Sequence, residues 1–208
     1  LTSERTFTLA ITDIGEIYFM PTLIDELSRL APNIKISTLR NSATNLKDEM
    51  ESGTVDIAIG LIPSLQTGFF QRRLFKQRYV CVFRKNHPIA HNPITLSQFQ
   101  RVGHVGITSA NTGHGEVDNL FLRKGIKRDI KLHVPHYVAV GHILHSSDLI
   151  ATVPERFAFK CKEPFDLVSS PLPIKLPEIA INLFWHSKFN RDPANMWLRQ
   201  LITKLFSD

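Results

Sequence analysis

The sequence predicts an α/β fold of two lobes, with the chain crossing between them twice. Three observations carry this. Strand-period and helix-period segments alternate along nearly the whole chain, the pattern of helix-covered parallel sheets. The alternation pauses at a basic, strand-rich stretch near 69–85 and resumes as a second unit. A proline-rich segment, 164–177, then reads as an extended return path to one more strand and a final helix.

Each element has its own signal. Phe7-Thr8-Leu9-Ala10-Ile11 alternates with the period of a half-buried strand. Thr12-Asp13-Ile14-Gly15 reads as a turn, with Thr and Asp suited to cap the helix that follows. Met20, Leu23, Leu27 and Leu30 make that helix's apolar stripe. Pro21 fits only a first turn, which predicts a regular helix from about Tyr18, and Ala31-Pro32-Asn33 stops it. Ile34–Leu39 alternates as a second strand, Leu46 and Met50 mark a helix ended by Gly53, and Val55–Gly60 is a buried third strand. Such sheets bind ligands at the carboxyl ends of their strands, here Thr12-Asp13-Ile14 and Gly60-Leu61-Ile62. The second unit predicts helices near 95–101, 115–124 and 138–146, and strands near 104–108, 130–134 and 149–153. A short helix starts at Pro154. Glu178–His186 is a last strand, and a helix over 193–206 carries Trp197, Leu198, Leu201, Leu205 and Phe206.

Composition narrows the class. With 208 residues, about 70% of the unfolded surface can be buried without staples. Apolar residues at 43% and charged residues at 21% exclude disorder, collagen and coiled coil. No apolar run approaches the roughly 18 residues of a membrane span, and Leu1 starts no signal segment. Cys81 and Cys161 form no C-x-x-C pair, a sparse use that fits a reducing compartment. The formal charge is +6, with Arg72, Arg73, Lys76, Arg78, Arg84 and Lys85 crowded together and the rest scattered. A scattered excess reads as solubility rather than as a nucleic-acid footprint.

Chemical motifs are sparse. His133/His136 and His142/His145 are spaced by three, but no H-E-x-x-H occurs and no cysteine sits nearby, so no metal is expected. There is no G-x-S-x-G and no P-loop, and Gly113-His114-Gly115 lacks the third glycine of a dinucleotide fingerprint, so no cofactor or enzymatic activity is expected. The rings and arginines of 69–85 could stack single-stranded nucleic acid. Rings at 75, 79 and 83 and charges at 76, 78, 84 and 85 are closer to two amphipathic strands. Asn111–Glu116 opens a helix with small, turn-forming residues, either an anion-facing N-terminus or a capping loop. Arg156, just past Val153-Pro154, is a surface charge or a carboxylate anchor.

Several motifs together resemble the effector-binding domain of LysR-type transcriptional regulators. They are Met20-Pro21, Pro32-Asn33-Ile34, Gly53-Thr54-Val55-Asp56-Ile57-Ala58-Ile59 and His87-Pro88-Ile89-Ala90, in order along the whole chain. Thr12–Glu16, Asn111–Asp118, Ile150–Pro154 and Asn182–His186 look like the members governing naphthalene, salicylate and nitrotoluene catabolism. The resemblance implies two Rossmann-like lobes of the type 2 periplasmic-binding-protein kind, 1–76 with 171–208 and 77–170, joined by two crossover strands. It implies a small aromatic acid inducer in the interlobe cleft, a cytoplasmic homodimer or homotetramer, and no membrane association. DNA would be read by an N-terminal winged helix-turn-helix, which no helix pair before Phe7 supplies in these residues. The main rival is a bilobal solute-binding protein for a small organic anion.

Strand ends and caps, read with this resemblance, nominate ligand-binding residues. They are Thr12, Asp13, Ile14 and Phe19 from the first lobe, Phe75 and Gln77 at the crossover, and His114 and Arg156 from the second. Asp13 is tolerable beside an anion if it caps its own helix. Close relatives carry a histidine before the Arg-Tyr-Val that is here Arg78-Tyr79-Val80. Gln77 stands there instead, an uncharged amide, which points to an aromatic acid in general more than to salicylate in particular.

Overall fold

A computed structural model describes residues 4–40, 45–90, 93–108 and 116–208. The first strands and helices are β1 (Arg5–Ile11), α1 (Asp13–Leu30), β2 (Ile34–Arg40), α2 (Leu46–Ser52) and β3 (Ile57–Gly60). Next come β4 (Phe69–Gln77), β5 (Tyr79–Arg84), α3 (Leu96–Arg101), β6 (Gly103–Ile107), α4 (Val117–Arg123) and β7 (Asp129–Val134). The chain ends with α5 (Val138–His145), β8 (Ile150–Pro154), α6 (Glu155–Phe165), β9 (Leu167–Pro171), β10 (Ile179–His186) and α7 (Pro193–Phe206). It divides into two compact units, passing to the second after Lys76 and returning after Ile179.

The first unit holds a sheet of order β2-β1-β3-β10-β4. β1 pairs in parallel with β2 and β3, as strand–helix–strand order requires, and the returning β10 runs antiparallel to β3, so the sheet is mixed. Apolar residues of β1 bury Phe7, Leu9 and Ile11 against Phe19, Leu23 and Leu27 of α1 and Leu198 and Ile202 of α7. Each such side chain contributes about 1.5–3 kcal/mol. α1 begins at Asp13, five residues before the predicted start, and Pro21 lies inside it. Proline there removes one N–H from the helix ladder, and the apolar stripe packed on β1 holds the helix through the gap. α2 ends as predicted: Gly53 takes φ +85°, and a Cβ there would lie 2.8 Å from the Phe189 ring.

Asp56 of the G-x-x-D motif ties this unit together. Its carboxylate accepts from the Thr8 N–H at 2.8 Å and from Arg5 at 2.8 Å, while its carbonyl accepts from Asn195 Nδ2 at 3.0 Å. Arg5 also reaches Asp192, whose carboxylate caps α7 by accepting the Asn195 N–H at 2.7 Å.

The second unit has sheet order β7-β6-β8-β5-β9. β6 pairs in parallel with β7 and β8, and β5 is antiparallel to both its neighbours. The segment 164–177 is therefore more than an extended return. Pro164 closes the last turn of α6, and β9 completes the sheet as an edge strand, where a proline at its end costs no central ladder bond. The stretch 69–85 forms two strands of different sheets, and only the first is amphipathic: on β4 Phe75 is buried while Arg72, Arg73 and Lys76 are exposed, whereas β5, a central strand, is buried from Tyr79 to Phe83 on both faces, with exposed Arg78 between the two.

Several histidines have packing duties here. His87 is buried, accepts the Ile89 N–H on Nδ1 at 3.1 Å, and so donates from Nε2 to the Asp148 carbonyl at 3.0 Å. His142 meets the Phe165 ring edge-on at 4.7 Å, and His145 bonds the Phe165 carbonyl at 2.8 Å. Among the described residues no group of three His, Cys, Asp or Glu could hold a metal ion. Among them, too, no helix is long and apolar enough to cross a membrane.

Candidate functional site

In the first unit, β1 delivers the chain into the N-terminus of α1. Thr12 is the N-cap, with φ −88° and ψ 164°, and its side chain makes no capping hydrogen bond. Asp13 is thus the first helical residue rather than the cap, and it stands with Glu16 in the first turn, where the helix dipole favours a carboxylate. Gly15 is required for this entry, because a Cβ would lie 2.4 Å from Cγ1 of Ile11. Ile14 is buried. Phe19 and Phe75 stack at 6.0 Å within the aromatic core of this unit, each 3% exposed, with Phe206 4.8 Å from Phe19. Their rings therefore back this end of the unit from inside its core.

In the second unit, the wholly buried β8 delivers the chain into α6. Pro154, the N-cap, has no side-chain acceptor to offer. Gln77 supplies one from the end of β4, its Oε1 accepting the Arg156 N–H at 3.1 Å. Gln77 is buried, and Arg156 is half-buried on the first turn. Arg78 follows Gln77 and donates from Nη2 to Glu155 at 2.8 Å, while the Glu155 N–H donates to the Arg78 carbonyl at 3.0 Å. Arg78 Nε donates to the same Glu155 oxygen at 3.1 Å, so one strand end and one helix start are fastened by four bonds. A helix N-terminus beside a guanidinium is a setting that favours an anion.

Neither cysteine of this unit is prepared as a nucleophile. Burial pushes the Cys81 thiol far above its usual range and Cys161 up to about 11, so neither is a thiolate near neutral pH. His104 is fully buried and lowered to about 4, chiefly by desolvation and further by the charge of Arg128, with its bond to the Phe99 carbonyl opposing. It stays neutral at physiological pH.

The structure thus brings Thr12, Asp13 and Ile14 together at one helix start, Gln77 and Arg156 at another, and Phe19 and Phe75 in a core. His114 lies outside the described residues. Sequence reading passed over Arg199, half hidden in the signal: it falls in the same helical register as Asn195, Leu198 and Ile202, the buried stripe of α7. It also passed over Thr152, whose hydroxyl is buried without a partner in β8.

Two α/β units with mixed sheets of this topology define the fold class, and comparison gives it a family. The chain matches the LysR substrate binding domain over residues 2–207 and belongs to that family. It is 65% identical over 206 residues to the HTH-type transcriptional activator NagR of Ralstonia sp, covering 99% of this chain and 68% of the relative. To the HTH-type transcriptional activator NahR of Pseudomonas putida it is 60% identical over 208 residues, covering 100% and 69%. The regulatory domain of MexT, a transcriptional activator in Pseudomonas aeruginosa, shares the fold with a TM-score of 0.84 at 23% identity, covering 97% of this chain and 100% of that one. The chain is accordingly a regulatory domain of a LysR-type regulator and not an enzyme.

Proposed function

We propose that this domain senses a small aromatic carboxylate and reports it to a DNA-binding segment of a cytoplasmic, homo-oligomeric activator. The observation that carries the reading is the start of α6. Arg156 stands there on a helix N-terminus whose cap is a neutral amide, Gln77, so the turn is held in place without an internal carboxylate on that N–H. An anionic ligand adds charge compensation of about half a unit charge from the helix and a full one from the guanidinium. Thr12, Asp13 and Ile14 at the start of α1 and His114 are the proposed further contacts, with Phe19 and Phe75 giving shape from the core. The names of the relatives, HTH-type transcriptional activators, support the DNA-reading partner.

Calorimetry with benzoate, salicylate and neutral phenol tests the ligand class. The acids should bind and phenol should not. Charged hydrogen bonds contribute about 1.5–3 kcal/mol each, so Arg156→Ala should weaken acid binding roughly tenfold to a hundredfold. Gln77→His should raise affinity for salicylate relative to benzoate. A preference for phenol, with Arg156→Ala silent, would show a different ligand class.

A further inference from the structure

One face of α6 runs from an acid through an aromatic ring to a base. Glu155, Ala158, Phe159 and Lys162 are spaced i, i+3, i+4 and i+7, so they form one stripe, with its charged ends about 10 Å apart along the axis. Arg156, Lys160 and Glu163 fall a quarter-turn or more to the side of it. Phe159 is 73% exposed, more than any other large apolar side chain among the described residues. Covering such a ring removes apolar area from water and is favourable.

The same four residues, with Val168 and Ser169 of β9, line a groove of about 340 Å³ that lies wholly in the second unit. β9 pairs with β5 alone, so the sheet ends beside the groove. At the acid end, Glu155 accepts from Arg78 on one carboxylate oxygen, and Glu178 adds a second negative charge that acts on Arg78. At the base end Lys162 is exposed. We infer that this stripe docks on the same stripe of a second copy of the chain, the two α6 helices running antiparallel about a two-fold axis near Ala158 and Phe159. That order sets Glu155 of each copy against Lys162 of the other, whereas a parallel order would set like charge against like. Ala158 at the centre lets the two backbones approach, and each Phe159 enters the groove between the other copy's α6 and β9. A second copy suits the stripe because the acid–ring–base order is complementary to itself when reversed, as a closed two-fold interface requires. The inference deepens the homo-oligomeric part of the reading above and does not depend on the ligand class.

Sedimentation equilibrium at near-millimolar concentration tests this, in a Leu122→Lys background that silences association through the exposed leucine of α4. A dimer is expected. Phe159→Asp and Lys162→Glu should each weaken it at least tenfold. Glu155→Lys should do the same alone. Mixed with Lys162→Glu it should give a heterodimer, because both cross-pairs then set acid against base. Phe159→Asp and Lys162→Glu change exposed side chains, so they keep the test open if Glu155→Lys, which loses the Arg78 bond, fails to fold. A dimer unmoved by Phe159→Asp and Lys162→Glu overturns the inference and places association on another face. A strict monomer in this background also overturns it, and the same measurement with Leu122 intact then decides separately whether the domain is a homo-oligomer. Two folded charge variants that fail to recombine overturn the antiparallel pairing, even if Phe159→Asp disrupts assembly.

Discussion

Gln77 and Arg156 are joined by a hydrogen bond that fixes a helix start, and in the proposed reading the same bond positions the ligand-binding guanidinium. The amide replaces the side-chain cap that Pro154 cannot give, and in doing so fixes the backbone that carries Arg156. A histidine at this position would present a ring nitrogen of variable protonation to the same N–H, which is why Gln77→His should change ligand preference as well as the cap. His104 makes a different single-residue claim, about acid. Its folded pKa of about 4 lies below the ordinary 6.5, so the unfolded chain binds the proton more readily. Its contribution is intact above about pH 6.5 and is lost as pH falls towards 4, by about 3 kcal/mol in all. Thermal unfolding followed from pH 7 to 4 should show a falling midpoint, and His104→Leu should flatten that slope. An unchanged slope would mean that His104 is charged or solvated in the fold.

Among the elements, those held by apolar period or by a charge at a strand end were legible. β1, β2, α2 and α7 follow from alternation, the Leu46/Met50 pair with Gly53, and the α7 stripe. α1 was harder, because proline in a helix interior is a local objection that packing on β1 overrides. β9 was hidden for the same reason in reverse: prolines on either side suggested no structure, and an edge strand needs only one paired side. Of the candidate site, the helix starts could be read from strand ends, but the Gln77–Arg156 bond joins residues 79 apart, and no local signal announces it. Asp56 lies at the opposite extreme, a motif residue whose bonds to Arg5 and Thr8 fix β3 against β1. Asp56→Ala should lower stability by about 3 kcal/mol through lost charged hydrogen bonds. Urea unfolding measures it, and a loss below about 1 kcal/mol would show that the network is dispensable.

At the scale of the whole molecule, the exposed apolar residues speak to association. Ile24 and Leu30 of α1 are each 48% exposed and Leu122 of α4 is 67% exposed, more than a helix face in water requires. Closed two-fold assemblies place the same patches on both subunits, and α1 and α4 are the faces expected to pair. Sedimentation at micromolar concentration should give a dimer that Leu122→Lys weakens, and a strict monomer would count against that interface. The proposed carboxylate would sit at the start of α6. Backbone amide shifts followed by NMR during a salicylate or benzoate titration test it most directly. The largest saturable shifts should fall on Arg156, Phe157 and the side-chain amide of Gln77, with a second group at Asp13–Glu16. Saturable shifts that leave both helix starts unmoved would contradict it.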